Sequence, residues 1–310
     1  MTSPLRIAVC VMSYRRPVWL ARLLEGLSKL TFVETPTVRI VVVENEADGP
    51  AREVCEQARG GCSFPVEHYA EPSRGIPFAR NRAVACAGRD VDFIAFIDDD
   101  ETPEPQWLQS LIDVQQACNA DIVAGPVLPC YEGQVPAWIT QGRFHERRRL
   151  PTGSAVTPMG TGNVLVRREV FEQFSPPFDE RYALIGGSDA HFFRRAVKAG
   201  FRAVWADEAI VHEWVPASRA SARWIWQRAF RSGTNFALTT WKTERPVQAV
   251  GQIAWRTAKH LGWGIVGMPW GLIRGRAGLV SQGQHISRGA GVLLGALGYQ
   301  YPEYRQIHGR

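Results

Sequence analysis

Four acidic residues stand in a row, Asp98-Asp99-Asp100-Glu101, directly after the apolar run at 93–97 (FIAFI). Carboxylates this close repel one another, and a divalent cation or another positive group relieves the repulsion. Asp98 and Asp100 form an Asp-x-Asp pair that suits Mg²⁺ or Mn²⁺, hard ions that take carboxylate, water and phosphate oxygens together. The plainer reading is a solvated turn or a helix start, where acids are also favoured. Their position flush against a strand of five apolar residues favours the metal.

The elements that hold this cluster follow from periodicity. Apolar runs at 7–12, 38–43, 93–97 and 122–127 read as strands. Between the first two, Leu20, Leu23, Leu24 and Leu27 recur at helical spacing behind Pro17, which suits a first helical turn. Another helix is expected at about 105–119. Runs apolar throughout, separated by helices, predict a mostly parallel sheet covered on both faces. Polar residues collect at the C-terminal strand ends, the edge where open α/β sheets bind ligands. The stretch 129–158 reads as a long mobile loop, 163–167 as a short strand, and 188–199 as a helix stopped by Gly200. Past residue 215 the pattern changes to long helices rich in Trp and Arg, which predicts two units, 1–215 and 216–310.

Charge separates the same two units. Thirteen Lys and Arg against two Asp and Glu give 215–310 a charge of +11, so with +6 overall the first 214 residues carry −5. A basic tail on an acidic front half points to an anionic partner surface. The apolar stretches 261–273 and 289–299 fall short of the roughly 20 residues of a spanning helix. Flanked by Lys259, Arg274, Arg276 and Arg288, they fit helices lying in the plane of an anionic membrane surface, with Trp at headgroup level. The six cysteines are scattered without a CxxC pair, which fits a reducing cytosol. The first residues lack the order of a signal peptide. The expectation is a cytoplasmic protein held peripherally at the inner face of the plasma membrane.

The succession SYRRP, VVVEN, GIPFARN, FIDDDE, GTGNVLVRR and FDERYALIGGSDAHFFRRAVKAG resembles the inverting family 2 glycosyltransferases of the GT-A fold. Within them it is most similar to the bacterial group that builds exopolysaccharide and other surface glycans on lipid carriers. The resemblance covers about 7–233 and implies a GT-A, Rossmann-like α/β fold with a helical C-terminal appendage. It also implies a UDP-sugar donor, a divalent metal, and a lipid-linked oligosaccharide as acceptor. By this resemblance Ser13, Tyr14, Arg16 and Glu44 hold the nucleoside, with Glu44 standing where Asp is usual. Arg74 and Arg80 lie near the nucleotide, Asp98 faces the ribose, Asp99 lies near the sugar, and Asp100 ligates the metal with His212 as a further ligand. Gly162 and Asn163 belong to a loop lining the sugar pocket. Asp189 in Gly186-Gly187-Ser188-Asp189 is the base that takes the acceptor's proton, with Ser188 where Glu is usual. Arg223, Trp224 and Arg228 fall where relatives close over the donor or meet an acceptor or phosphate. Polymerising members carry Gln-x-x-Arg-Trp there; this chain has only Arg223-Trp224, which argues for single-sugar addition.

Each of these residues has a plainer reading, as a packed turn, a structural ion pair, a helix cap or a solvated basic face. Three rival functions share some of the signals. A nucleotidyltransferase would show glycine in its first phosphate loop, and 13–17 has none. A nucleic-acid binder would use the basic, Trp-rich tail but leave the acids and Asp189 without a purpose. A degenerate transferase that keeps the fold without activity is suggested by Glu44 and Ser188. The sugar itself is set by pocket shape; glucose is the guess.

Overall fold

The computed structural model describes residues 4–158, 160–183 and 186–299, so Leu184 and Ile185 of the motif before Asp189 lie outside the described residues. The strands are β1 (Arg6–Ser13), β2 (Thr37–Glu44), β3 (Val66–Ala70), β4 (Phe93–Asp98), β5 (Glu101–Pro103), β6 (Ile122–Ala124), β7 (Val127–Tyr131), β8 (Asn163–Arg167), β9 (Ala203–Trp205) and β10 (Val211–Val215). The helices are α1 (Pro17–Ser28), α2 (Ala51–Ala58), α3 (Ile76–Cys86), α4 (Trp107–Cys118), α5 (Ala137–Gln141), α6 (Arg168–Glu172) and α7 (Ser188–Lys198), followed by α8 (Ala222–Thr243), α9 (Pro246–Val266), α10 (Met268–Ile273) and α11 (Gly275–Ala296).

A seven-stranded sheet runs in the order β3-β2-β1-β4-β8-β6-β9, and a small sheet runs β5-β10-β7. All pairs in the large sheet are parallel except those made by β8, which runs against β4 and β6. Side chains alternate between faces along a strand, so the apolar runs feed two cores. Val9, Val11, Ile40, Ala95 and Ile97 pack with Leu20, Leu24, Trp107 and Leu111 on one face. Ala8, Cys10, Val41, Ile94 and Phe96 pack with Ala79, Ala83, Phe192 and Phe193 on the other. The predicted doubly covered, mostly parallel α/β sheet is what forms.

Three local readings change. The run 122–127 is two strands in two sheets, broken at Gly125-Pro126. Pro126 has no N–H for a ladder, and a Cβ on Gly125 would come within 2.4 Å of the Ala209 carbonyl oxygen. The stretch 129–158 is not structureless, since it carries the end of β7 and all of α5. The short edge strand β3, with sequence VEHYA, has too little apolar pattern to be seen by periodicity.

The C-terminal quarter is helical as expected, with α8, α9 and α11 packed on one another. No described helix is long and apolar enough to cross a membrane. All six cysteines are free thiols.

Candidate active site

Register brings the ends of three parallel strands level. Ser13 pairs with Glu44 across β1 and β2, and Met12 pairs with Asp98 across β1 and β4. The turn after β1, with Arg15 at φ 55°, swings Arg16 back over the strand ends. Ser13 Oγ donates to Asp99 Oδ2 at 3.0 Å. Arg16 Nη1 donates to Asp99 Oδ1 at 3.0 Å and to Asp100 Oδ2 at 3.3 Å. Tyr14 stays beside them, its ring covered by the Arg15 guanidinium at 5.3 Å.

The acids pay for burial as the sequence implies. Burial and the neighbouring Asp100 push the Asp98 carboxyl up to about 7. Burial raises Asp99 to about 6 against the pull of Arg16. Burial and Asp98 hold Glu101 well above the usual carboxylate range, while its Oε2 accepts the Asp98 backbone N–H at 3.0 Å. Asp98 and Glu101 converge on Gly162, where a Cβ would lie 3.1 Å from Asp98 Oδ2 and 2.4 Å from Glu101 Oε1. A side chain there would push one or both carboxylates aside.

A divalent cation fits this group by donor type. The oxygens are hard, crowded and destabilised as anions, which a cation would reverse. Among the described residues no three His, Cys, Asp or Glu side chains enclose an ion unaided. That sparse set matches Mg²⁺ or Mn²⁺ bound by one or two carboxylates plus phosphate and water. At present arginines do the neutralising: Arg219 Nη1 donates to Asp100 Oδ2 at 3.1 Å and to Glu213 Oε1 at 3.3 Å. Arg147 Nη2 donates to Glu213 Oε2 at 2.6 Å.

His212 is not part of this group, contrary to expectation. Its Nε2 meets Glu104 Oε1 at 3.1 Å, and the next strand residue, Glu213, turns to the Asp100 side instead. Pairing of Val211 with Pro103 and of Glu213 with Glu101 fixes that alternation.

The second half of the site is the start of α7. Gly186 and Gly187 take left-handed φ values of 75° and 93°, delivering Ser188 and Asp189 into the first helical turn. Arg80, buried on α3, donates from Nη1 to Ser188 Oγ at 3.0 Å and from Nη2 to Asp189 Oδ2 at 3.4 Å. Ser188 therefore seats Arg80, which in turn positions Asp189. The segment 160–162 connects both halves: a Cβ on Gly160 would be 3.8 Å from Asp189 Oδ2, while Gly162 abuts Asp98 and Glu101. Two residues of chain span at most roughly 7 Å, so Asp189 lies within roughly 15 Å of the acidic cluster.

Other expected residues are committed elsewhere. Glu44 is buried, its Oε1 accepting the Ala51 N–H at 2.9 Å at the start of α2 and its Oε2 meeting His68 Nε2 at 3.1 Å. It shapes the loop after β2 through both carboxylate oxygens. Asn163 is a structural pin: Oδ1 accepts from Trp107 Nε1 at 2.8 Å, and Nδ2 donates to the carbonyls of Pro126 and Ala209 at 2.9 and 2.6 Å. Arg74 lies exposed in the loop before α3. Asn45, which sequence reading passed over, secures that loop by donating to the Glu71 and Ser73 carbonyls and accepting the Gly75 N–H.

On α8, Arg223 is exposed, whereas Trp224 and Arg228 turn inwards. Trp224 stacks on His145 at 5.3 Å and lies beneath the Arg228 guanidinium at 5.1 Å. Burial, opposed by Glu213, lowers Arg228 to about 10. Burial and Arg228 lower His145 to about 4, keeping it neutral. Arg147, Glu213 and Arg219 complete this group; Arg147 and Glu213 were missed.

The glycosyl transferase family 2 profile matches residues 8–175. The chain is 34% identical over 230 residues to the succinoglycan biosynthesis protein ExoM of Rhizobium meliloti, covering 74% of this chain and 73% of that one. It is 24% identical over 258 residues to a glucosyl-dolichyl phosphate glucuronosyltransferase of Haloferax volcanii, covering 73% and 74%. Among solved structures it resembles the mannosyltransferase PcManGT of Pyrobaculum calidifontis, bound to GDP-Man and Mn²⁺, with TM-score 0.64 at 16% identity, covering 94% of this chain and 88% of that one. S. aureus TarS residues 1–349 with UDP-GlcNAc gives TM-score 0.54 at 16% identity, covering 99% and 95%. At such identities these structures speak for the fold alone, and that fold is GT-A.

Proposed function

We propose that this chain, which belongs to glycosyl transferase family 2, moves one sugar from a UDP-sugar to a hydroxyl of a lipid-linked glycan, with inversion at the anomeric carbon. The observation that carries the reading is the glycine segment at 160–162, which has Asp189 at one end and Asp98 with Glu101 at the other. Donor and acceptor groups thereby face one cleft at the strand ends.

Ser13, Tyr14 and Arg16 bound the nucleoside side. Asp98 faces the ribose, and Asp100 would hold a Mg²⁺ or Mn²⁺ ion, whose charge would offset that of the departing diphosphate. Asp189 accepts the proton of the acceptor hydroxyl while that oxygen attacks the anomeric carbon. The bond from that carbon to the β-phosphate oxygen breaks, and the nucleoside diphosphate takes the electron pair. Arg16 and Arg219 already bridge the carboxylates and supply cationic hydrogen bonds beside the developing charge. Arg228 and Trp224 carry the α8 side of the cleft towards the acceptor.

Residues 1–215 would then house donor and base, and 216–310 the acceptor and membrane side. Succinoglycan, in the name of the R. meliloti relative, supports a role in surface polysaccharide assembly at the inner face of the plasma membrane, with glucose as the sugar we favour. The test is transfer from labelled UDP-sugars to a bacterial lipid extract, with anomeric configuration read by NMR. An inverted, lipid-soluble product from UDP-glucose is expected. No transfer from any UDP-sugar would mean the fold has outlived its activity.

A further inference from the structure

Helix α9 is amphipathic the wrong way round for a solvated helix. Its inner side, against α8 and α11, holds Ala249, Ile253 and Gly264 with half-buried Thr257 and His260. Its outer side presents Trp255 at 68% exposure, Trp263 at 66% and Val266 at 81%. Helix α10 continues the same surface with Trp270 at 57% and Ile273 at 75%. A surface helix normally turns such residues to the core, and a contiguous exposed apolar patch marks an interaction surface. Nor is the inner face short of packing. A Cβ on Gly264 would come within 2.5 Å of Ile286 Cγ1 and 3.0 Å of its backbone nitrogen. The two helices are already in backbone contact there, so the outward tryptophans have no place left inside.

Charge selects the occupant. From 245 to 299 the chain has six Lys and Arg and no Asp or Glu. Lys259, Arg274 and Arg276 are exposed around the apolar corner. A second copy of this chain would bring the same positive charge against it, whereas an anionic bilayer brings the opposite. Trp near Lys and Arg on helices that do not combine the length and apolarity needed to cross is the composition of an in-plane interfacial helix.

We infer that the outer face of α9 and α10 docks flat on an anionic lipid bilayer, Trp255, Trp263 and Trp270 entering the headgroup layer while Lys259, Arg274 and Arg276 meet lipid phosphates. This rests on the proposed lipid-borne acceptor only for its purpose, since it seats the cleft where such an acceptor lies. The test is co-sedimentation of the full chain with vesicles of phosphatidylcholine alone or with phosphatidylglycerol, plus tryptophan quenching by brominated lipid. Binding to phosphatidylglycerol vesicles, weakened by salt and accompanied by quenching, is expected. The combined exposed variant Trp263→Ser, Trp270→Ser, Ile273→Ser should lose about tenfold or more in partitioning, with UDP binding as in the parent chain. Unchanged partitioning of that variant overturns the inference. So does equal binding to neutral vesicles, or a dimer in sedimentation velocity that this variant dissolves while vesicles bind nothing. UDP binding, measured on the same samples, separates failure here from failure of the donor-site reading.

Discussion

The strand-end cleft and the α9–α10 face break opposite rules of protein surfaces. The cleft buries charge: Asp99, Asp100 and Glu101 are almost wholly enclosed, with Arg16 paired to the first two and Arg219 to Asp100. The helical face exposes apolar bulk that a soluble surface would hide. Each departure is costly alone, and each would be relieved by the partner proposed for it: a cation with a nucleoside diphosphate in one case, an anionic bilayer in the other. A region's partner can thus be read from what its own atoms leave uncompensated.

Variants can pull the two regions apart. The largest effect belongs to Asp189→Asn, which should cut transfer by about 10²–10⁴-fold, the usual worth of a general base. Its UDP affinity and vesicle binding should match the parent chain; a normal turnover rate would assign the base elsewhere. Next comes Asp100→Ala, expected to cost roughly tenfold or more in Mn²⁺-dependent UDP affinity, against less than about twofold for His212→Ala. Equal losses would restore His212 to the metal group and undo the correction made from its contact with Glu104.

Asn163→Ala should lower stability by about 3 kcal/mol, because the Trp107 N–H and two buried carbonyls lose their partner. Urea unfolding would check this, and an unchanged midpoint would argue that the residue is free to meet sugar. The smallest effect concerns pH. Burial holds His145 at about 4 against 6.5 in an unfolded chain. Between those values the unfolded state takes up the proton and the folded state does not, so stability falls as pH drops from 6.5 towards 4. His145→Gln should make that fall shallower, leaving the part due to His191, His260 and His285, which burial lowers in the same way. An identical slope would show that His145 is protonated in place.

The acidic cluster was legible because its members are consecutive, and the parallel sheet because buried strands are apolar throughout. The link of Arg219 to Asp100, and through it of Glu213, was not, since it joins residues more than a hundred positions apart. The exchange of His212 for Glu213 turned on one step of strand alternation, which pairing with β5 sets and no local pattern reveals. Glu44 and Asn163 were expected to touch ligand because they match family motifs that do. Only the packed structure shows the Ala51 N–H and the Trp107 indole as their partners. The outward face of α9 escaped for the converse reason: the stretch is visibly apolar, but which side faces out depends on where α11 lies.

The central claim is a metal-dependent nucleoside diphosphate site at the strand ends, and calorimetric titration with UDP and ADP, with and without Mn²⁺, tests it most directly. UDP binding that disappears when Mn²⁺ is removed, with ADP much weaker, is expected. Binding of neither nucleotide, or UDP binding indifferent to the metal, would contradict it.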